Sequence, residues 1–159
     1  MFQLKNNNFN RKAATDCANV RVFDAKDTIL ERARSIVTEE QFAQHLGIRL
    51  ISAEPDKVVV QLPYGQHLGV GRVHGGAISA MVDVAATACF WSDPDLTDNS
   101  RGATVGFTIN YLSLSVATDL TAIATIRRRG GTLCTGDVSV QNPNGDEVAT
   151  AIVTYKLNR

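Results

Sequence analysis

The sequence predicts an α+β domain in which one long helix packs on an antiparallel sheet of about six strands. Three features carry that prediction. The stretch from Val73 to Trp91 keeps the apolar spacing of a helix. Four runs after it alternate apolar and polar residues with the period of two expected of half-buried strands. The connections between those runs are too short for parallel crossovers, so an antiparallel meander with a buried helix is the simplest topology.

The chain of 159 residues suits one domain of ordinary size preceded by an arm. Sixteen basic and sixteen acidic residues leave a net charge of zero, which argues against nucleic acid or an anionic membrane as the main partner. No apolar run approaches the roughly 20 residues that span a bilayer. Residues 1–8 lack the apolar core and cleavage site of a secretory signal, so a cytoplasmic location is expected. Cys17, Cys89 and Cys134 are widely spaced and odd in number, unlike a disulfide framework or a zinc cluster, and Cys89 reads as a small buried hydrophobe. His45, His67 and His74 lack the i, i+4 spacing of helical metal ligands, so no metal is expected.

Taken in order, residues 1–27 form a polar arm with an Asn6-Asn7-Asn8 run, and residues 28–159 form the domain. Thr28-x-x-Glu31 and Thr38-x-x-Gln41 both fit the capping box, which predicts two short helices or one broken helix over about 28–45, with Glu39 and Glu40 in the first turn of the second piece. Gly47 ends it. Strands follow at 48–51 and 57–62, joined by a turn at Glu54-Pro55-Asp56. The segment 64–72 holds three glycines and is a loop leading into the long helix. Ser92–Ser100 is a polar turn. In 103–112 the odd positions, from Ala103 to Tyr111, are apolar. Runs at about 118–128, 132–141 and 147–156 continue the pattern across turns at Ser113–Ala117, Gly130-Gly131 and Asn142–Gly145.

Within the long helix, Ile78, Met81, Val82, Ala85 and Cys89 share an apolar face while Ser79, Asp83 and Thr87 line the opposite one. A carboxylate two turns into a mostly apolar helix is costly to bury unless it is paired or used, which points to a function for Asp83. Solvent exposure of Asp83 is the plainer alternative. Thr87, one turn on, could orient the carboxylate or a water. Gly75 and Gly76 open the helix, where first-turn amides lack intrahelical acceptors and glycine lets a ligand oxygen approach. A developing oxyanion could be held there. A tight loop-to-helix turn would explain the same two glycines, and His74 is expected to brace the loop. Arg127, Arg128 and Arg129 could bind phosphates, or simply keep a hairpin corner solvated.

Gly71-x-Val73-His74-Gly75-Gly76 with Asp83 nine residues after the histidine, then the strand Ala103–Leu112 and the final Gly145…Ala149-x-Ala151…Thr154-Tyr155, resembles the PaaI-like hotdog-fold acyl-CoA thioesterases. The similarity covers about residues 40–157. It implies a hotdog fold, self-association into a dimer or a tetramer, and an active site between subunits. It further implies that the Gly75 amide polarises the thioester carbonyl beside Gly76, that His74 shapes the turn, and that Asp83 of the neighbouring subunit attacks or activates water. Thr87 and Thr104 match hydroxyl positions near the site. Acyl-CoA is the implied substrate, and no cofactor is implied beyond the coenzyme A it carries. Two departures from the pattern stand out. Leu68 stands six residues before His74, where Asn or Gln is common, with Gln66 or His67 as replacements. Ser113 and Leu114 replace a basic residue and proline, which leaves Arg127–Arg129 as the coenzyme A candidates. A non-catalytic acyl-CoA-binding or regulatory module is the alternative.

Overall fold

The computed structural model describes residues 27–159. The arm assigned to 1–27, apart from Asp27, and Cys17 lie outside them. Helix α1 (Ile29–Arg34) begins with the capping box at Thr28, where Glu31 Oε2 accepts from the Thr28 amide at 2.7 Å and Thr28 Oγ1 from the Glu31 amide at 3.2 Å. A π-helical turn (Ser35–Glu39) leads to α2 (Gln41–Leu46). The second capping box does not form. Thr38 lies inside the π turn and its hydroxyl donates back to the Arg34 carbonyl at 2.6 Å. The N-cap is instead Glu40, whose carboxylate accepts from the Phe42 amide at 2.9 Å. Gly47 ends α2 at φ 77°, a left-handed cap that suits glycine.

Strands β1 (Arg49–Glu54) and β2 (Lys57–Leu62) form the expected hairpin around Pro55 and Asp56. The long helix α3 (Gly75–Phe90) follows, then β3 (Arg101–Tyr111), β4 (Leu120–Arg129), β5 (Leu133–Gln141) and β6 (Glu147–Asn158). All neighbours are antiparallel in one six-stranded sheet of order β1-β2-β4-β5-β6-β3. Helix α3 lies across this sheet, with Met81, Val82 and Ala85 buried against strand residues such as Val60, Ala122 and Val140. Alanines on both layers let the backbones come close.

The order corrects the simple meander. Strand β3 pairs with neither β2 nor β4 but with β6, at the far edge. The segment 112–119 is therefore a crossing connection rather than a hairpin turn at Ser113–Ala117, and the Ser115 carbonyl accepts from the Val73 amide at 2.9 Å as it passes the start of α3. Short loops restrict which strands can be parallel, but they leave the choice of edge to the helix, which carries the chain past the sheet before β3 begins.

The half-burial expected of β3 is not achieved within the chain. Val105 is 61% exposed, Phe107 38% and Tyr111 50%, because β3 is an edge strand. Its alternation is also broken. A bulge between Thr104 and Gly106 shifts the register, so that Thr104 opposes Tyr155 while Phe107 opposes Val153 and Tyr111 opposes Ala149. Those partners are all buried on the α3 side. Thr104 thus joins Phe107 and Tyr111 on the helix-facing side, where strict alternation would have turned it away.

Candidate active site

The approach to α3 is held by its own backbone. Gly69 (φ 145°) sits against the Arg72 carbonyl with no room for a Cβ, and Tyr64 Oη donates to the Gly69 carbonyl at 3.1 Å. The Leu68 carbonyl accepts from the His74 amide at 2.8 Å, while the Leu68 side chain is buried in the core. Leu68 therefore anchors the loop and offers no polar group to a ligand. Gln66 and His67 are exposed in a short 3₁₀ turn (Gln66–Leu68).

His74 braces the turn as expected, and it does so as the helix N-cap. Its Nδ1 accepts from the Gly76 amide at 2.9 Å, which places any proton of the neutral ring on Nε2. The Gly76 amide is thus occupied, contrary to the expectation that both glycine amides are open. The His74 carbonyl accepts from the amides of Ala77 (2.9 Å) and Ile78 (3.2 Å). The Gly75 amide has no acceptor among the described residues. A helix N-terminus with one unpaired amide and an aligned dipole favours a negatively charged oxygen.

Ser79, Asp83 and Thr87 are all half-buried on one side of α3, as the periodicity predicts. Thr104 Oγ1 donates to Asp83 Oδ1 at 2.7 Å, a contact made possible by the β3 bulge. Thr87 makes no hydrogen bond to Asp83. Tyr155, opposite Thr104 in the sheet, lies in the same region. Burial raises its phenol above the ordinary value, a hydrogen bond from Trp91 Nε1 at 2.8 Å opposes this, and the Asp83 charge adds to the rise. Eight residues of α-helix separate Gly75 from Asp83, about 12 Å along the axis. The two groups of one chain therefore cannot reach the same carbonyl.

Tyr111 was not singled out by sequence reasoning, although it belongs to the Asn110-Tyr111-Leu112 strand. Its phenol donates to the Gly75 carbonyl at 2.9 Å and meets Ser79 Oγ at 2.5 Å. A hydroxyl at an inward-facing strand position was the available signal.

The arginine triplet is split by a second bulge, between Ile126 and Arg128. Arg129 faces the C-terminal end of α3, with its side chain only 16% exposed. It donates to the carbonyls of Phe90 (3.0 Å) and Cys89 (3.4 Å) and pairs with Asp56 (2.6 Å) and Asp93 (3.4 Å). It caps the helix and is not open to phosphates. Buried Arg32 does the same from α1, donating to the carbonyls of Trp91 (3.1 Å) and Asp93 (2.8 Å). Burial alone would raise the Asp93 carboxyl. The Asp95 amide and the guanidinium groups of Arg159 and Arg129 outweigh it and hold Asp93 below the usual carboxylate range. Arg127 pairs with Asp137 at 2.8 Å, and exposed Arg128 has no side-chain partner among the described residues.

None of the described helices is long and apolar enough to cross a membrane. Comparison with known proteins agrees with the fold. A protein of Silicibacter pomeroyi described as a thioesterase family protein superimposes with a TM-score of 0.72 at 23% identity, covering 80% of this chain and 96% of that one. The PaaI protein from the phenylacetic acid degradation operon of E. coli does so at 0.69 and 23%, covering 81% and 95%. An esterase-named protein of Deinococcus radiodurans is 29% identical over 103 residues, which span 63% of this chain and 63% of that protein's own length. The thioesterase superfamily profile matches residues 70–149, from the loop before His74 into β6, and this chain belongs to that superfamily.

Proposed function

We propose that the chain is a cytoplasmic acyl-CoA thioesterase, working as a dimer or a tetramer with each site shared between two subunits. The observation that carries this reading is the pairing of an unoccupied Gly75 amide with an oriented Asp83 carboxylate too far along the same helix to meet it. A second copy supplies the missing half. The Gly75 amide, at the positive end of α3, donates to the thioester oxygen as charge develops on it. The partner subunit's Asp83, held by Thr104, either draws a proton from the attacking water or attacks the carbonyl to give a mixed anhydride that water then opens. Either way the C–S bond breaks, the thiolate leaves as coenzyme A after taking up a proton, and the acid is released. Thr87 is positioned one turn on to hold the water. The chemistry requires neither a metal nor a redox cofactor. Arg128, with Arg127 beside it, is the candidate for the coenzyme A phosphates.

Thiol release from short, long and aromatic acyl-CoA substrates tests the reading. Asp83→Asn keeps an acceptor for Thr104 but removes the base, so turnover is expected to fall by about two to four orders of magnitude. Equal release by wild type and Asp83→Asn would remove Asp83 from the chemistry. The buried Leu68 side chain favours a second reading, a module that binds acyl-CoA without hydrolysing it. Saturable binding with no turnover on any substrate would select it.

A further inference from the structure

We propose that Tyr111 is a positioning residue that keeps the first turn of α3 helical and so keeps the Gly75 amide aimed at the reacting carbonyl. The role rests on the thioesterase reading above. Two adjacent glycines open α3, and glycine is the weakest helix former after proline. Helix ends fray, and the amides of the first turn have no helical acceptors to hold them. The turn that carries the oxyanion donor is therefore the least stable part of the helix unless something outside it holds it.

Two side chains do so. His74 Nδ1 takes the Gly76 amide at 2.9 Å, and Tyr111 Oη donates to the Gly75 carbonyl at 2.9 Å, so the Gly75–Gly76 peptide is held at both ends. The phenol has a single proton and spends it on that carbonyl. In the 2.5 Å contact with Ser79 the serine is then the donor, which links Tyr111 to the next turn as well. The ring also packs on Gly75, where an added Cβ would lie 3.2 Å from Tyr111 Cζ. Strand β3 thus grips α3 at both proposed reactive groups, through Tyr111 at Gly75 and through Thr104 at Asp83. Tyr111 holds the peptide that follows the donor N–H across the Gly75 Cα, and acts on the substrate only through Gly75.

Tyr111→Phe keeps the ring and removes the hydroxyl. Expected are a fall in kcat of about tenfold, a fraction of the effect of losing an oxyanion donor, a KM within about twofold, and a small shift of the melting midpoint. Backbone 15N relaxation of the wild type and the variant reads the turn directly. The Gly75 amide order parameter should drop from about 0.85 towards 0.6. Ser79→Ala, which changes no residue of β3 and removes only the hydrogen bond to Tyr111, should loosen the same amide to a smaller degree and carries the test if Tyr111→Phe does not fold. An unchanged Gly75 order parameter overturns the proposal whatever the activity. So does a loosened Gly75 amide with unchanged kcat, or a kcat loss matched by a rise in KM. A wild type without turnover on any acyl-CoA defeats the thioesterase reading instead, and the clamp then stands or falls on the amide order alone.

Discussion

Arg129→Met tests the capping role of the arginine at the end of β4. Methionine keeps much of the aliphatic bulk and removes the guanidinium. That deletes two hydrogen bonds to the last carbonyls of α3, at 3.0 and 3.4 Å, and two ion pairs, to Asp56 and Asp93. The Asp56 pair contributes little, since Asp56 is 56% exposed. Asp93 matters more, because its side chain is only 4% exposed, and removing one member of a buried pair costs about 3–5 kcal/mol. Arg159 still reaches Asp93 at 2.6 Å, which places the expected loss at the lower end, about 3 kcal/mol. At roughly 3 °C per kcal/mol for a domain of this size, the melting midpoint should fall by about 10 °C. The acid side of the stability curve should change with it. The folded Asp93 carboxyl lies below its ordinary value of 3.8, so its contribution is complete above that value and is lost as pH falls through the folded value. Without Arg129 the lowering is smaller, and the loss of stability below about pH 4 should be shallower. Urea unfolding between pH 2 and 7 measures both effects. A variant that keeps wild-type stability but raises KM for acyl-CoA tenfold would refute the capping role and return Arg129 to the substrate.

Further outcomes follow from the site and from the core beneath it. Gly75→Ala keeps the amide but would bring a methyl group to 3.2 Å from Tyr111 Cζ, so the first turn must shift and turnover should fall with the fold intact, by up to the about two orders of magnitude that loss of an oxyanion donor costs. If sites are shared, mixing and reassociating this variant with Asp83→Asn should restore about a quarter of wild-type activity, because only heterodimers carry one complete site; no recovery in verified heterodimers would count against a shared site. Thr104→Val removes the 2.7 Å donor to Asp83 at nearly constant shape, and kcat should fall about tenfold with little change in melting; an unaffected kcat would show that Asp83 needs no orientation from β3. Burial pushes the Cys89 thiol up to about 12, so it should resist aromatic disulfide reagents in the folded protein and react on unfolding; rapid labelling of the native state would contradict its placement in the core.

Local features of the sequence determined a great deal here. The span and N-cap of α3, the capping box at Thr28, the left-handed cap at Gly47 and the shared face of Ser79, Asp83 and Thr87 are all settled by hydrogen bonds or periodicity within a few residues. That locality is why they could be read directly. The false capping box at Thr38 shows the limit, since the same four-residue pattern gave way to a π turn that no short motif announces. Tertiary structure alone decided the rest. The pairing of β3 with β6, the bulge that turns Thr104 towards Asp83, the reach of Tyr111 over Gly75 and the diversion of Arg129 to the end of α3 join residues tens of positions apart. Edge order and bulge position are set by how the helix and sheet share one core, and that competition is resolved only when the whole chain is packed.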